Sequence, residues 1–159
     1  MLEPGDRAPA FTLPDQNDEK VRLTSFKGRK VLVFFYPKAN TSGCTTQATG
    51  LRDVADLIGD TVVLGISPDE PAKQRKWDDK HHFGFPLLSD PEHKVADKYG
   101  VWGPKKLYGR EYMGITRSAF LIDEKGRIAR AWYKISPKDT PKKLLAALEE
   151  SEGDGGKKS

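Results

Sequence analysis

The chain has 159 residues, enough for one domain with a substantial core. Its 27 Lys and Arg nearly balance 23 Asp and Glu, for a formal charge of +4, and no basic stripe is interleaved with aromatics, so a nucleic-acid partner is not expected. The longest unbroken apolar run, Val31 to Tyr36, is far short of the about 20 residues that span a bilayer, and MLEPGDRAPA has no basic segment followed by an apolar one, so a cytoplasmic protein with no membrane partner is expected.

In chain order, Phe11–Leu13 and Lys20–Leu23 flank the polar PDQNDE and predict a hairpin. Lys30–Tyr36 (KVLVFFY) is a continuous apolar run, the pattern of a strand buried on both faces. PKANTSG predicts a loop. From Cys44, the residues Ala48, Leu51, Val54, Ala55 and Ile58 fall at helical spacing. Thr61–Ile66 predicts a second buried strand. The acids and proline of Ser67-Pro68-Asp69-Glu70-Pro71 start a helix that runs to about His82. Phe85–Leu88 predicts a short strand and His93–Tyr99 a helix. Arg117–Ile122 and Ile128–Tyr133 form a hairpin around Asp123-Glu124-Lys125-Gly126. Thr140-Pro141 caps a last helix that places Leu144, Leu145 and Leu148 on one face.

Strands separated by helices predict an α/β fold: a thioredoxin-like mixed β-sheet flanked by helices on both faces. One domain is expected over residues 1–150. The glycine-rich, charged SEGDGGKKS predicts a disordered tail over 151–159.

Cys44 is the only cysteine, which excludes an internal disulfide, a Cys-x-x-Cys oxidoreductase and a cysteine-rich zinc site. A lone cysteine is most often a small buried hydrophobe. Here, however, it stands where a buried strand ends and a helix begins, and the free N–H groups of a helix start favour a thiolate. Lowering a thiol pKa from about 8.5 to about 6 raises the thiolate fraction at pH 7 roughly 30-fold. The accompanying loss of nucleophilicity removes roughly 10- to 18-fold of that. A fast thiol therefore needs more than ionisation: a cation aimed at the charge that develops on the substrate.

The segment FYPKANTSGCTTQATGLRD (Phe35 to Asp53) resembles the active-site loop of the peroxiredoxins, whose pattern is Pro, three residues, Thr, two residues, Cys; here these are Pro37, Thr41 and Cys44. VLGISPDEP, FGFPLLSDPEHKVADKYGVWG and YMGITRSAFLIDEKGRI are similar, in the same order, to segments of the bacterioferritin comigratory protein or peroxiredoxin Q subfamily. The resemblance extends from Pro4 to Glu150. It implies a thiol-dependent peroxidase acting on hydrogen peroxide and organic hydroperoxides. Cys44 would be the peroxidatic nucleophile, oxidised to a sulfenic acid. Thr41 would bond the peroxide, Arg117 would polarise thiolate and peroxide, and Pro37 would shield the thiolate from water.

Two departures stand out. Where many subfamily members carry a resolving cysteine five residues on, this chain has Thr49, and none stands around Trp77-Asp78-Asp79 either. The one-cysteine type follows, with the sulfenic acid reduced by an external thiol: thioredoxin, glutaredoxin or a low-molecular-weight thiol. Ser42 takes the place of a usual proline, which loosens the loop by about 1 kcal/mol. No cofactor and no metal are expected; Cys44, His81, His82 and His93 make a poor ligand set because adjacent histidines on a helix point about 100° apart. A monomer is expected, a dimer being the alternative, and a peroxide sensor using the same cysteine is the rival function.

Overall fold

The computed structural model describes residues 1–158, and side chains up to residue 150. Its centre is β3 (Val31–Phe35), every residue of which is buried. Pleating sends Val31, Val33 and Phe35 to one face and Leu32 and Phe34 to the other, so this one strand seeds two apolar clusters. β4 (Val62–Ser67) lies parallel to β3 on one side, and β5 (Leu87–Ser89) lies parallel to β4. On the other side β8 (Ser118–Ile122) runs antiparallel to β3, and β9 (Ile128–Trp132) antiparallel to β8. The order β5-β4-β3-β8-β9 is the expected mixed sheet.

Helices cover both faces, as expected. α1 (Ser42–Asp53), α2 (Pro71–His81) and α4 (Asp139–Lys158) bring Leu51, Trp77, Leu144 and Leu148 to the face that also holds Cys44. The opposite face is closed by α3 (Lys94–Lys98) and the N-terminal segment with Ala8, Phe11 and Leu23. A small hairpin, β1 (Thr12–Pro14) with β2 (Lys20–Arg22), matches the expected first pair. α1 and α4 approach closely because residue 50 is glycine: an added Cβ would stand 3.1 Å from Pro141 Cγ.

Several boundaries differ from the sequence expectation. α1 begins at Ser42 and ends at Asp53, and a separate 3-10 turn (Ala55–Leu57) follows, so the periodic residues to Ile58 are not one helix. Arg117 stands just before β8 rather than within it. α4 starts at Asp139, so Thr140 is not its cap: the Thr140 hydroxyl donates to Ser136 O at 3.0 Å and accepts from Gln47 Nε2 at 3.0 Å. The expected disordered tail, 151–159, lies outside the residues whose side chains are described.

One element was not anticipated. β6 (Trp102–Leu107) and β7 (Arg110–Ile115) pair in register through a two-residue turn. Tyr108 (φ 53°) and Gly109 (φ 76°) both take positive φ there, as tight hairpins require. Leu107, Tyr108, Tyr112 and Met113 are exposed, so the apolar alternation that announces a strand is absent.

Candidate active site

The loop after β3 is anchored at two points ahead of the cysteine. Tyr36 N–H donates to Ile66 O at 3.1 Å, and Ala39 N–H donates to Asp69 Oδ2 at 2.6 Å. Asn40 turns the chain with φ 63°. Pro37 is half-buried between these anchors. Thr41 then serves as N-cap of α1 with extended backbone, and its carbonyl accepts the first helical bond from Thr45 N at 2.9 Å. Its side chain makes no cap bond; Oγ1 donates instead to Lys38 O at 2.7 Å. The hydroxyl proton is thereby engaged, which leaves the Thr41 oxygen as an acceptor for an incoming O–H. The first-turn N–H groups are left without a side-chain cap, facing whatever negative charge the turn holds.

Cys44 is the third residue of α1 and 1% exposed. Arg117 approaches it from the start of β8, with Nη1 at 3.4 Å from Sγ. The same Nη1 donates to Gln47 Oε1 at 2.8 Å. Gln47 lies one helical turn after Cys44, fully buried, and its amide nitrogen donates to Thr140. A chain of bonds thus runs from Ser136 O through Thr140 and Gln47 to Arg117 and ends at the sulfur. Backbone bonds pin the arginine as well, since Ile135 N donates to Arg117 O at 2.9 Å. Gly43 lets the guanidinium settle against the helix: a Cβ there would stand 3.1 Å from Arg117 Nη2.

Behind the thiol sits a closed polar lattice. Tyr36 OH donates to Gln74 Oε1 at 2.6 Å, and Gln74 Nε2 donates to Ser67 Oγ at 2.8 Å and to Leu88 O at 3.1 Å. Burial raises the Tyr36 phenol well above its ordinary range, against the hydrogen bonds with Ser67 and Gln74, and the charges of Asp69 and Cys44 push the same way as burial. Tyr36 is therefore a neutral neighbour of the sulfur. Trp77 Nε1 donates to Thr45 Oγ1 at 3.1 Å and ties α2 to the first turn of α1.

The structure brings Arg117 to Cys44, with Thr41 as the N-cap of the cysteine's helix and Pro37 in the adjoining loop. Gln47 and Thr140 were not singled out from the sequence. The available signal was Gln47's position three residues after Cys44, on the side of α1 that the cysteine occupies. His81 stacks on Phe83 and His93 on Trp102, each in its own aromatic contact, and no cluster suited to a metal ion occurs among the described residues. Such a site suits a thiolate that attacks a polarised bond and passes negative charge to a departing atom.

Comparisons with known proteins point the same way. The model of the AhpC/TSA family matches residues 4–131. Peroxiredoxin Bcp of Escherichia coli is 52% identical over 129 residues, 80% of this chain and 83% of that protein. Peroxiredoxin Bcp of Bacillus subtilis is 42% identical over 151 residues, 94% and 96%. The solved structure of the bacterioferritin comigratory protein of Xanthomonas campestris, described for its alkyl peroxide reduction activity, superposes with TM-score 0.86 at 27% identity, covering 94% of this chain and 99% of that one.

Proposed function

The chain belongs to the AhpC/TSA family and is a thiol peroxidase of the Bcp type, and from that premise we propose that Cys44 is its peroxidatic nucleophile, acting on hydrogen peroxide and organic hydroperoxides. The observation that carries this is the 3.4 Å contact between Arg117 Nη1 and Cys44 Sγ in the open first turn of α1.

The Cys44 thiolate attacks the nearer oxygen of the peroxide. The S–O bond forms as the O–O bond breaks, and the distal oxygen departs as hydroxide or alkoxide, which takes a proton to become water or an alcohol. Sulfur is oxidised to the sulfenic acid and the peroxide is reduced. Arg117 faces the negative charge throughout, held by Gln47. Thr41 Oγ1 accepts the peroxide O–H, and Pro37 limits water at the sulfur. One external thiol then condenses with the sulfenic acid, releasing water, and a second displaces Cys44 from the mixed disulfide.

Peroxiredoxins take reducing equivalents from thiol partners. For this chain the partner is a thioredoxin, a glutaredoxin or a low-molecular-weight thiol, a reading supported by Cys44 being the only cysteine. A cytoplasmic monomer, with a dimer as the alternative, is part of the same proposal; no helix among the described residues is long and apolar enough to cross a membrane. The test is consumption of hydrogen peroxide and of cumene hydroperoxide by Cys44→Ser, its fold checked by far-ultraviolet dichroism. No turnover above background is expected with any of the three reductants. Consumption comparable with the unaltered protein overturns the assignment of Cys44.

A further inference from the structure

The β6–β7 hairpin brings a second cation to the segment that carries Arg117. Lys105 lies in β6 directly opposite Tyr112 of β7. Its side chain folds back to the base of the hairpin, where Nζ donates to Ile115 O at 2.8 Å. The path exists because residue 114 is glycine: a Cβ there would stand 3.1 Å from Lys105 Cδ and 3.3 Å from Tyr112 Cε2.

This is unusual behaviour for a lysine. Such side chains ordinarily lay their stem on the surface and keep the ammonium in water. Lys105 is half-buried, and among the described residues no carboxylate forms an ion pair with it, in contrast to Lys30, Lys73 and Lys94. Its acceptor carbonyl is two residues before Arg117. Burial, and next the Arg117 charge, hold the Lys105 ammonium below the usual lysine range, while the Cys44 charge draws it back up. Such coupling is reciprocal: a thiolate that favours the ammonium is itself favoured by it. Arg117 touches the sulfur directly, Lys105 is fixed two residues from Arg117, and among the described residues neither cation is in an ion pair with a carboxylate. Tyr36, whose phenol also feels the Cys44 charge, is neutral.

We propose that Lys105 is a positioning residue of the peroxidase site: its ammonium adds a second positive charge to the field favouring the Cys44 thiolate, and its bond to Ile115 O holds the segment that carries Arg117. The proposal rests on Cys44 being the reacting thiol. Its test reads ionisation rather than turnover, so a failure of that assignment, seen in the Cys44→Ser assay, is a separate result.

Because Cys44 is the only cysteine, the rate of iodoacetamide alkylation against pH reports its thiolate directly. Lys105→Met keeps the stem and removes the charge, whereas Lys105→Arg keeps the charge. In Lys105→Met the midpoint should rise, leaving about 3- to 10-fold less thiolate below it. Lys105→Arg should restore most of the difference. Salt at about 1 M should shrink the gap between the unaltered protein and Lys105→Met, since the Debye length there is about 3 Å. Superimposable curves for Lys105→Met and the unaltered protein overturn the proposal. So does an equal shift in Lys105→Arg, because the cause would then not be the charge.

Discussion

Arg117 and the cysteine meet across a separation of 73 residues, and the arginine is held by three independent constraints: Gln47 Oε1, the Ile135 N–H bond to its carbonyl, and the absent side chain at Gly43. A group fixed in this way spends little on reorganisation when charge moves from sulfur to the departing oxygen, which is the condition under which an aimed donor is worth most. Arg117→Ala should therefore lower the second-order rate constant for hydrogen peroxide by about 10²- to 10³-fold. Stopped-flow measurement above the thiol's titration midpoint separates this from lost thiolate. Near-normal rates there would return Arg117 to a structural role. Gln47 explains its own burial: a fully buried amide needs partners, and it finds a donor in Arg117 and an acceptor in Thr140.

Among the elements, α1 decides both the electrostatics of the sulfur and its fate after oxidation. Ser42 is the first residue of the helix, a position where proline loses nothing because that N–H has no helical partner. Thr41 already has φ −102° and ψ 159°, inside the range required before a proline. Ser42→Pro should thus be accommodated without strain and stabilise the protein by about 0.4–1 kcal/mol through the unfolded state. Urea unfolding measures it, and a loss of stability would mean that the Ser42 N–H or hydroxyl is needed. Thr49 lies on the same unbroken helix as Cys44, and residues five apart face different sides. A disulfide requires Cα atoms within about 7 Å, so Thr49→Cys should form one only as α1 opens, with loss of helical signal on oxidation. Without reductant, graded peroxide should drive Cys44 of the unaltered protein to sulfinic and sulfonic acids, whereas Thr49→Cys ends mainly as the internal disulfide. Intact mass resolves these products. Better resistance to overoxidation in the unaltered protein would contradict the one-cysteine mechanism.

For the molecule as a whole, the buried phenols link stability to pH. Tyr36 fills the Cys44 face of the sheet, and Tyr99 packs on the other against Phe35 and Phe120. Burial raises both phenols above the ordinary tyrosine value. Above about pH 10 the unfolded chain has released these protons and the folded chain has not, so the folded state binds more protons there. The stability due to these groups is complete below about pH 10 and is lost as pH rises further. Tyr36→Phe should cost about 0.5–1.5 kcal/mol or more at neutral pH, because Gln74 Oε1 loses its donor. It should also flatten the alkaline decline. Urea unfolding near pH 8 and near pH 11 tests this, and parallel declines in the two proteins would exclude Tyr36 as a contributor.

What could be read along the chain was whatever local order encodes. The apolar run Val31–Tyr36 announced a strand buried on both faces and helical spacing after Cys44 announced α1, whereas Pro37, Thr41 and Arg117 around the thiol were implied only by the resemblance to the peroxiredoxins. Periodicity is a property of neighbours, so it survives without a fold. The rest depended on residues that become neighbours by folding. Thr140 looked like a helix cap, yet its hydroxyl serves Gln47, 93 residues away in sequence. The β6–β7 hairpin left little trace because it is exposed over much of its length and turns through Tyr108-Gly109, without the Asn-Gly or Asp-Gly signal. Lys105 was one basic residue among many in the sequence. Cross-strand pairing with Tyr112, the space over Gly114 and the carbonyl of Ile115 turn it inward, and such positions follow from contacts between strands rather than from the order of residues within one.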